Sequence, residues 1–245
     1  MKALILAAGY ATRLYPLTKE YPKPLLQVGT KPIINYIIDK LAVLTDVKEI
    51  IVVTNSKFIS LFENWAQDLN VPARIKLVND MTQTHSDRLG AIGDINFVIE
   101  QLAIMDDLLV IGGDNLFDGG LSDFLSFAKG KVPDPVIGAY DIMDKEQAKK
   151  YGVIKVDEKN RIIDFQEKPK TPISTLIAMC LYYFPREKLG LIKQYLQTRT
   201  DKHDATGFYI DWLRQIEDVY VFQFHGLWYD IGHHEFYNKA KESFK

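Results

Sequence analysis

A single cysteine, Cys180, among 245 residues leaves no partner for an intrachain disulfide and excludes a zinc site built on cysteines. The expected compartment is reducing, the cytoplasm. No run of lysines or arginines stands out, and the formal net charge is -2. A protein that tracks a nucleic-acid backbone usually carries a basic stripe, so no nucleic-acid partner is expected. Small phosphorylated ligands stay open, since a few placed cations suffice for them. Long apolar runs are missing too, so neither a membrane span nor a membrane partner is expected. The start, MKALILAAGYA, superficially resembles a signal peptide, but the run Ala3 to Ala8 is short and Arg13 follows closely. It reads as a buried first strand. With 47% hydrophobic and 25% charged residues, the composition is ordinary for a globular protein and points to no activity.

What is present is an alternation of strand and helix patterns. LILAA is a continuous apolar run, as in a strand covered on both faces of a parallel sheet. Pro32 opens a helix whose apolar positions Ile33, Ile34, Ile37, Ile38 and Leu41 follow helical spacing. Residues 49–54 (EIIVVT) read as a strand, Phe58, Phe62, Trp65 and Leu69 as one helix face, and residues 74–79 (RIKLVN) as a strand. A helix near 92–102 and a strand in 107–114 (DLLVIGGD) continue the series. The order predicts an α/β fold with a doubly wound, mostly parallel, Rossmann-like sheet. The second half is strand-rich: PVIGAYD, GVIKVD, IIDFQEK and TLIAMCLYYF, with a hairpin tip at 157–161. Helices near 186–198 and 207–217, a strand in VYVFQFHG and a terminal helix from about 233 follow. Without a linker, repeat or low-complexity stretch, residues 1–245 are expected to form one domain, a nucleotide-binding half over 1–130 and a second half over 131–245. Ligands of open sheets bind beyond the carboxyl ends of the strands. The loop after the first strand and Asp114 after the fourth share that edge.

The segment 4–33, LILAAGYATRLYPLTKEYPKPLLQVGTKPI, holds the clearest chemistry. Gly9 and the small residues around it let backbone N–H groups come close to a polyphosphate. Arg13 can fork onto phosphate oxygens, and Lys23 adds a point charge. The spacing is neither GxxxxGK[ST] nor GxGxxG, so a plain turn with two surface cations explains it equally well. Asp114 sits after an apolar strand, and Asp230 lies in a Trp-Tyr-Asp-Ile-Gly turn before the last helix. Either aspartate alone is more commonly a cap or a solvated turn residue. Lys168 precedes Pro169, which predicts extended backbone at Lys168. No Ser-His-Asp or Cys-His arrangement is evident. Adjacent histidines such as His233 and His234 diverge at a helix start, which suits helix-start or supporting roles, and His85, His203 and His225 show no site-like spacing.

The 4–33 segment resembles the signature of the sugar-1-phosphate nucleotidylyltransferases, the nucleotide-sugar pyrophosphorylases. The resemblance continues through GGDNLF (112–117), YGVIKVD (151–157), EKP (167–169) and WYDIG (228–232), in family order along nearly the whole chain. It implies an enzyme that joins a nucleoside triphosphate to a sugar 1-phosphate and releases pyrophosphate, with UTP or dTTP favoured and Mg2+ as cofactor. It further implies nucleotide contacts from Leu6, Ala8, Gly9, Arg13, Lys23, Asn79 and Gly90, with Arg13, Lys23 and Asp114 serving catalysis. Gly152, Glu167 and Lys168 would receive the sugar phosphate, and Asp114 and Asp230 the metal. Asn79 reads equally well as a turn cap. A homo-oligomer is compatible with the resemblance.

The chain departs from the family pattern at four places. Ala11 replaces a second loop glycine, and the loop is expected to survive there if φ is negative. Arg88, in SDRLGAIGD, stands where a glycine is usual, and either reshapes the base pocket or faces solvent. Met179 and Cys180 replace a small residue and a glycine, in a region that in the family lies against the sugar. No left-handed β-helix follows, so a second, acyltransferase activity is not expected. A cytidylyltransferase and a noncatalytic nucleotide-sugar-binding regulator remain as alternatives.

Overall fold

Successive side chains of the central strands are buried on opposite faces, which calls for a layer of helices on each side of the sheet. The computed structural model describes residues 1–198, 205–232 and 234–244, so His203 and His233 lie outside the described residues. After β1 (Lys2–Leu6) comes a small hairpin, β2 (Gln27–Val28) and β3 (Lys31–Pro32), which leads into α1 (Ile33–Ala42). The alternation continues with β4 (Glu49–Thr54), α2 (Ile59–Gln67), β5 (Arg74–Asn79), α3 (Gly90–Gln101) and β6 (Leu108–Gly112). Next come β7 (Asn115–Phe117), α4 (Ser122–Lys129), β8 (Val136–Asp141) and the short α5 (Lys145–Ala148). The strands β9 (Gly152–Val156), β10 (Ile162–Glu167) and β11 (Leu176–Phe184) precede α6 (Gly190–Thr198) and α7 (Thr206–Leu213). Last are β12 (Tyr220–Phe224), β13 (Trp228–Asp230) and α8 (His234–Ser243).

A nine-stranded sheet runs through both halves in the order β10-β9-β11-β6-β1-β4-β5, with β8 beside β11 and β12 beside β8. The strands β6, β1, β4 and β5 are mutually parallel, as the apolar runs predict. The chain steps outward from β1 through β4 to β5, then returns to the other side of β1 as β6. That reversal puts the topological switch point between β1 and β6. Gly113 N donates to Leu6 O at 2.9 Å and locks the two strand ends together.

One face of the sheet, including Ala3, Ile5, Ile50, Val52, Leu109 and Ile111, packs on apolar stripes of α1 and α4 and on Phe58 and Phe62 at α2. The other face, with Leu4, Ile51, Val53, Leu108 and Val110, packs on α3, α6 and α7. The helix α4 is not among the sequence expectations, although Leu121, Phe124, Leu125 and Ala128 have helical spacing and are buried.

The second half joins the first through β11, which is antiparallel to β6 and β8. Its register against β8 slips between Ala178 and Tyr182, at a bulge where Cys180 takes φ 51°. Before the bulge β11 pairs with β9 at Ile177–Val153, and after it with β6 from Leu181 to Phe184. The bulge therefore sits where the two halves meet. Asp230 was expected in a turn. It ends β13, which pairs antiparallel with β7 and sets Asp230 opposite Asn115. The short motif carries too little alternation to read as a strand from sequence. A third apolar cluster of Leu14, Leu26, Val28, Ile33, Leu116, Ile231 and Ala240 fixes this ribbon beneath α8.

Candidate active site

A cleft of about 420 Å³ opens at the switch point, above the carboxyl ends of β1 and β6. Leu6, Ala8, Gly9, Arg13, Lys23, Gly90, Asp114 and Asp230 all line it, drawn from four separate stretches of sequence. Gly9 is exposed, and a Cβ built on it would meet no protein atom within 4 Å, so the space above its backbone is open to a ligand. Arg13 is exposed on the 3-10 turn Thr12–Leu14. Ala11, just before that turn, has φ 46° and ψ 41°. The condition set for the loop's survival, a negative φ, is not met: the loop takes a left-handed bend on a residue with a Cβ. Such a residue costs about 1–2 kcal/mol relative to its right-handed conformation. Thr18 Oγ1 donates to Ala11 O at 2.8 Å and helps hold the bend.

At the cleft floor, Lys23 Nζ forms an ion pair with Asp114 Oδ2. The carboxyls of Asp114 and Asp230 adjoin each other, because the β7–β13 pairing sets Asp230 beside the residue that follows Asp114. Burial, and then the Asp114 charge, push the Asp230 carboxyl up to about 6, with Lys23 and Lys168 pulling it back. Burial works to lower the Lys23 ammonium, but the two aspartates outweigh it and hold its affinity for the proton above the ordinary value. Two adjoining carboxylates beside one ammonium leave negative charge that a divalent cation can neutralise. One or two carboxylates completed by phosphate oxygens and water is the donor set that magnesium favours. The residues fit the metal. Asn115 Oδ1 accepts from Trp228 Nε1 at 2.9 Å, and its Nδ2 donates to Cys180 O at 3.3 Å, which ties β7 to β13 and to the β11 bulge.

Gly152, Glu167 and Lys168 gather at the facing ends of β9 and β10, where Glu167 pairs with Gly152. A Cβ on Gly152 would come within 2.5 Å of Phe165, and one on Gly207, in α7, within 1.8 Å of the Glu167 carboxylate. Only glycine at these positions lets the strand pair and the helix close on Glu167. Burial pushes the Glu167 carboxyl up, and Lys168, 3.4 Å away, pulls it back. Lys168 is not extended, contrary to the expectation drawn from Pro169. It has φ 46°, because its N–H turns back to donate to Tyr151 O at 3.0 Å. Its charge still acts on Asp230, pulling that carboxyl back towards its ordinary value.

The predicted sugar-phosphate residues Gly152, Glu167 and Lys168 lie outside the cleft lining, and so does Asn79. Its Oδ1 accepts from Met81 N at 2.8 Å and Ser56 Oγ at 3.0 Å, the turn-capping alternative. Several residues with no sequence-derived role also line the cleft, Tyr10, His85, Asp94 and Gly232 among them. Asp94 carried a signal, since a charged residue stands on the apolar side of α3, one turn after Gly90. Arg88 and Cys180, noted as departures, also line the cleft, whereas Met179 is buried in the core. His234 starts α8 and lies 3.2 Å from Tyr15 O through Nε2, a supporting position.

A loop of small residues, a lysine and a carboxylate pair meet at the switch point of a Rossmann-like α/β sheet. Residues 2–245 match the nucleotidyl transferase family, and the chain belongs to it. It is 31% identical over 233 residues to a bifunctional protein GlmU of Methanococcus aeolicus, covering 95% of this chain and 51% of the relative. It is 29% identical over 250 residues to a glucose-1-phosphate adenylyltransferase of Thermosipho africanus, covering 94% of this chain and 58% of the relative. The chain thus spans little more than half the length of these relatives. In fold it is similar to a UDP-glucose pyrophosphorylase complexed with UDP-glucose, with a TM-score of 0.81, 23% identity, and 99% and 97% of the two chains covered. A putative mannose-1-phosphate guanyltransferase of Sulfolobus acidocaldarius, 31% identical over 236 residues, stands beside the adenylyltransferase, so membership does not single out a base. Among the described residues, no helix is long and apolar enough to cross a membrane.

Proposed function

We propose that this chain transfers a nucleotidyl group from a nucleoside triphosphate, UTP or dTTP favoured, to a sugar 1-phosphate. The observation that carries the reading is the convergence of Lys23, Asp114 and Asp230 beneath the Gly9–Arg13 loop. The loop and Arg13 hold the triphosphate, and Gly152, Glu167 and Lys168 hold the sugar phosphate, so residues 1–130 mainly serve one substrate and 131–245 the other. A sugar phosphate has a second pKa of about 6, as phosphorylated side chains do, and is largely a dianion at neutral pH. One of its oxygens attacks the α-phosphorus, the bond from that phosphorus to the bridging oxygen breaks, and pyrophosphate leaves with the electron pair. No general base is needed. Lys23 neutralises charge as it builds on the transferring phosphate and the leaving group, and Arg13 orients the chain of phosphates. Asp114 and Asp230 would hold Mg2+, whose chemistry there is that of a Lewis acid for phosphate oxygens.

The test is pyrophosphate release across four or five triphosphates and a panel of sugar 1-phosphates, with Asp114→Asn and Asp230→Asn beside the wild type. Each variant is expected to stay folded and to lose at least about a hundredfold in turnover, the scale of a lost electrostatic partner in a transition state. Near wild-type turnover in either variant at limiting magnesium removes that aspartate from the metal site. Tight binding of a nucleotide-sugar without turnover in the wild type replaces the transferase with a regulatory binder.

A further inference from the structure

The ribbon that carries Asp230 is short. Its strands β7 and β13 share three residue pairs, Trp228 with Phe117, Tyr229 with Leu116 and Asp230 with Asn115. A two-stranded ribbon is at best marginally stable by itself in water, so other contacts must fix it. Leu116 and Ile231 anchor it in the apolar cluster beneath α8. Towards Gly112 and the β11 bulge the tie is polar, and Asn115 makes it.

Asn115 is buried at 3% exposure, and both ends of its side-chain amide are used. Its Oδ1 accepts from Trp228 Nε1 at 2.9 Å, across the ribbon and two residues before Asp230. An indole N–H only donates, which settles that the amide oxygen is the end facing Trp228. The other end, Nδ2, donates to Cys180 O at 3.3 Å, in the bulge where the register slip interrupts the β11–β8 ladder. One amide thereby joins β7, β13 and β11. Gly112 leaves the space for it: a Cβ there would lie 2.8 Å from Asn115 Nδ2, 3.0 Å from Asp114 Oδ1 and 3.1 Å from Cys180 Sγ. Amide, carboxylate and thiol meet over one glycine of the cleft wall.

We propose that Asn115 is the positioning residue of the Asp114–Asp230 pair, its amide, strung between Trp228 and the β11 bulge, setting the separation of the two carboxylates. It follows Asp114 directly in the chain and stands opposite Asp230 in the ribbon, so whatever fixes Asn115 fixes both. The role needs an acceptor and a donor on one short side chain. Leucine offers neither, aspartate lacks the N–H, and glutamine carries the amide one bond farther out. Asn115 touches neither metal nor substrate. It acts through the spacing of the carboxylates, to which a small cation with a strict octahedral shell is sensitive. The role rests on the metal reading of the two aspartates given above.

The experiment is titration of Mn2+ into the protein, without nucleotide, followed by the EPR signal of the free ion. Compared are the wild type, Asn115→Ala, Trp228→Phe, the double variant and, as a control, Tyr183→Phe. The control removes a buried hydroxyl that donates to Asp107 Oδ2 at 2.7 Å, at the ends of the strands away from the cleft. Asn115→Ala is expected to weaken Mn2+ binding at least about tenfold, the scale on which residues that orient metal ligands act. Trp228→Phe is expected to weaken it less, the double variant no further than Asn115→Ala, and Tyr183→Phe not at all. Wild-type affinity in Asn115→Ala, or losses that add in the double variant, overturns the proposal. So does an equal loss in Tyr183→Phe, because any weakened fold would then do the same. Should Asn115→Ala not fold, Trp228→Phe, which keeps a ring and removes the N–H, decides alone: unchanged affinity overturns the proposal. A wild type that binds no Mn2+ ends the metal reading itself, and the positioning role with it. Binding is read without turnover, so a protein that shows the expected losses but releases no pyrophosphate ends the transferase reading alone.

Discussion

Three residues with side chains adopt left-handed backbone at the cleft and its rim: Ala11 in the phosphate loop, Lys168 at the end of β10 and Cys180 in the β11 bulge. Each carries strain of roughly 1–3 kcal/mol that the surrounding structure must hold in place. At Ala11 the consequence is measurable. Relief of the Cβ clash in Ala11→Gly is worth about 1–2 kcal/mol. Added freedom of the unfolded chain takes back about 0.4–1 kcal/mol. The net expectation is a more stable protein, by up to about 1.6 kcal/mol, read as a higher denaturant midpoint with an unchanged slope. The loss that Ala→Gly usually brings would show that Ala11 is not strained in solution. These conformations were beyond the sequence for a physical reason. Alanine and cysteine ordinarily avoid positive φ, and the proline after Lys168 argues for extended backbone, so local preference points away from what tertiary contacts impose. Arg13, Lys23 and Asp114 were legible because strand ends and small-residue loops constrain where their side chains can go.

At the scale of elements, the parallel core followed directly from the buried runs at β1, β4 and β6, whose period and length leave little choice. The ribbon of β7 and β13 did not, because three residues a strand carry no readable alternation, and its partners are 113 positions apart at Trp228 and Asn115. That ribbon is what brings Asp230 to Asp114, so the aspartate pair could be suggested by motif but not placed. A second joint between elements is the Asp80–Asp94 contact, which ties α3 to the turn after β5. Asp80, with Asp87 and Tyr10 beyond it, is the titratable surrounding of this joint. The folded protein keeps the Asp94 proton up to about pH 8, whereas an unfolded chain releases it near 3.8. Between those values the native state binds more protons than the unfolded state, so this contribution to stability is complete below 3.8 and falls as pH rises towards 8. Asp94→Asn keeps the hydrogen bond and removes the proton. Thermal unfolding across pH 5–8 is expected to show a smaller decline for Asp94→Asn than for the wild type, with the variant's relative advantage largest at the alkaline end. Parallel curves would show that Asp94 is ionised in the folded protein.

At the scale of the whole molecule, the sheet runs unbroken from β5 through β1 and β6 to the β9–β10 hairpin, with the β11 bulge where the two halves meet. The halves were visible in the sequence as a change from alternating helices and strands to strands with short connections. Their joining through β6 and β11 was not, since nothing in the pattern of either strand specifies a partner across the chain. In this account each half holds one substrate, and the two lysines report the halves separately. Under the proposed function Lys23, which lies against Asp114 in the first half, would serve charge that develops during transfer, and Lys168, at the end of β10, would hold the phosphate of the incoming sugar.

Steady-state kinetics of Lys23→Ala and Lys168→Ala, with the triphosphate and the sugar 1-phosphate varied in turn, tests this assignment most directly. An interaction confined to the transition state appears in kcat, and one made equally with the bound substrate appears in KM. A charge-assisted phosphate contact is worth roughly 1.5–3 kcal/mol, or on the order of ten- to a hundredfold. Lys168→Ala is expected to raise the KM for the sugar phosphate by that factor with little change for the triphosphate, and Lys23→Ala to lower kcat. A Lys168→Ala protein altered only in its triphosphate KM, or in neither, would contradict the division of substrates between the halves.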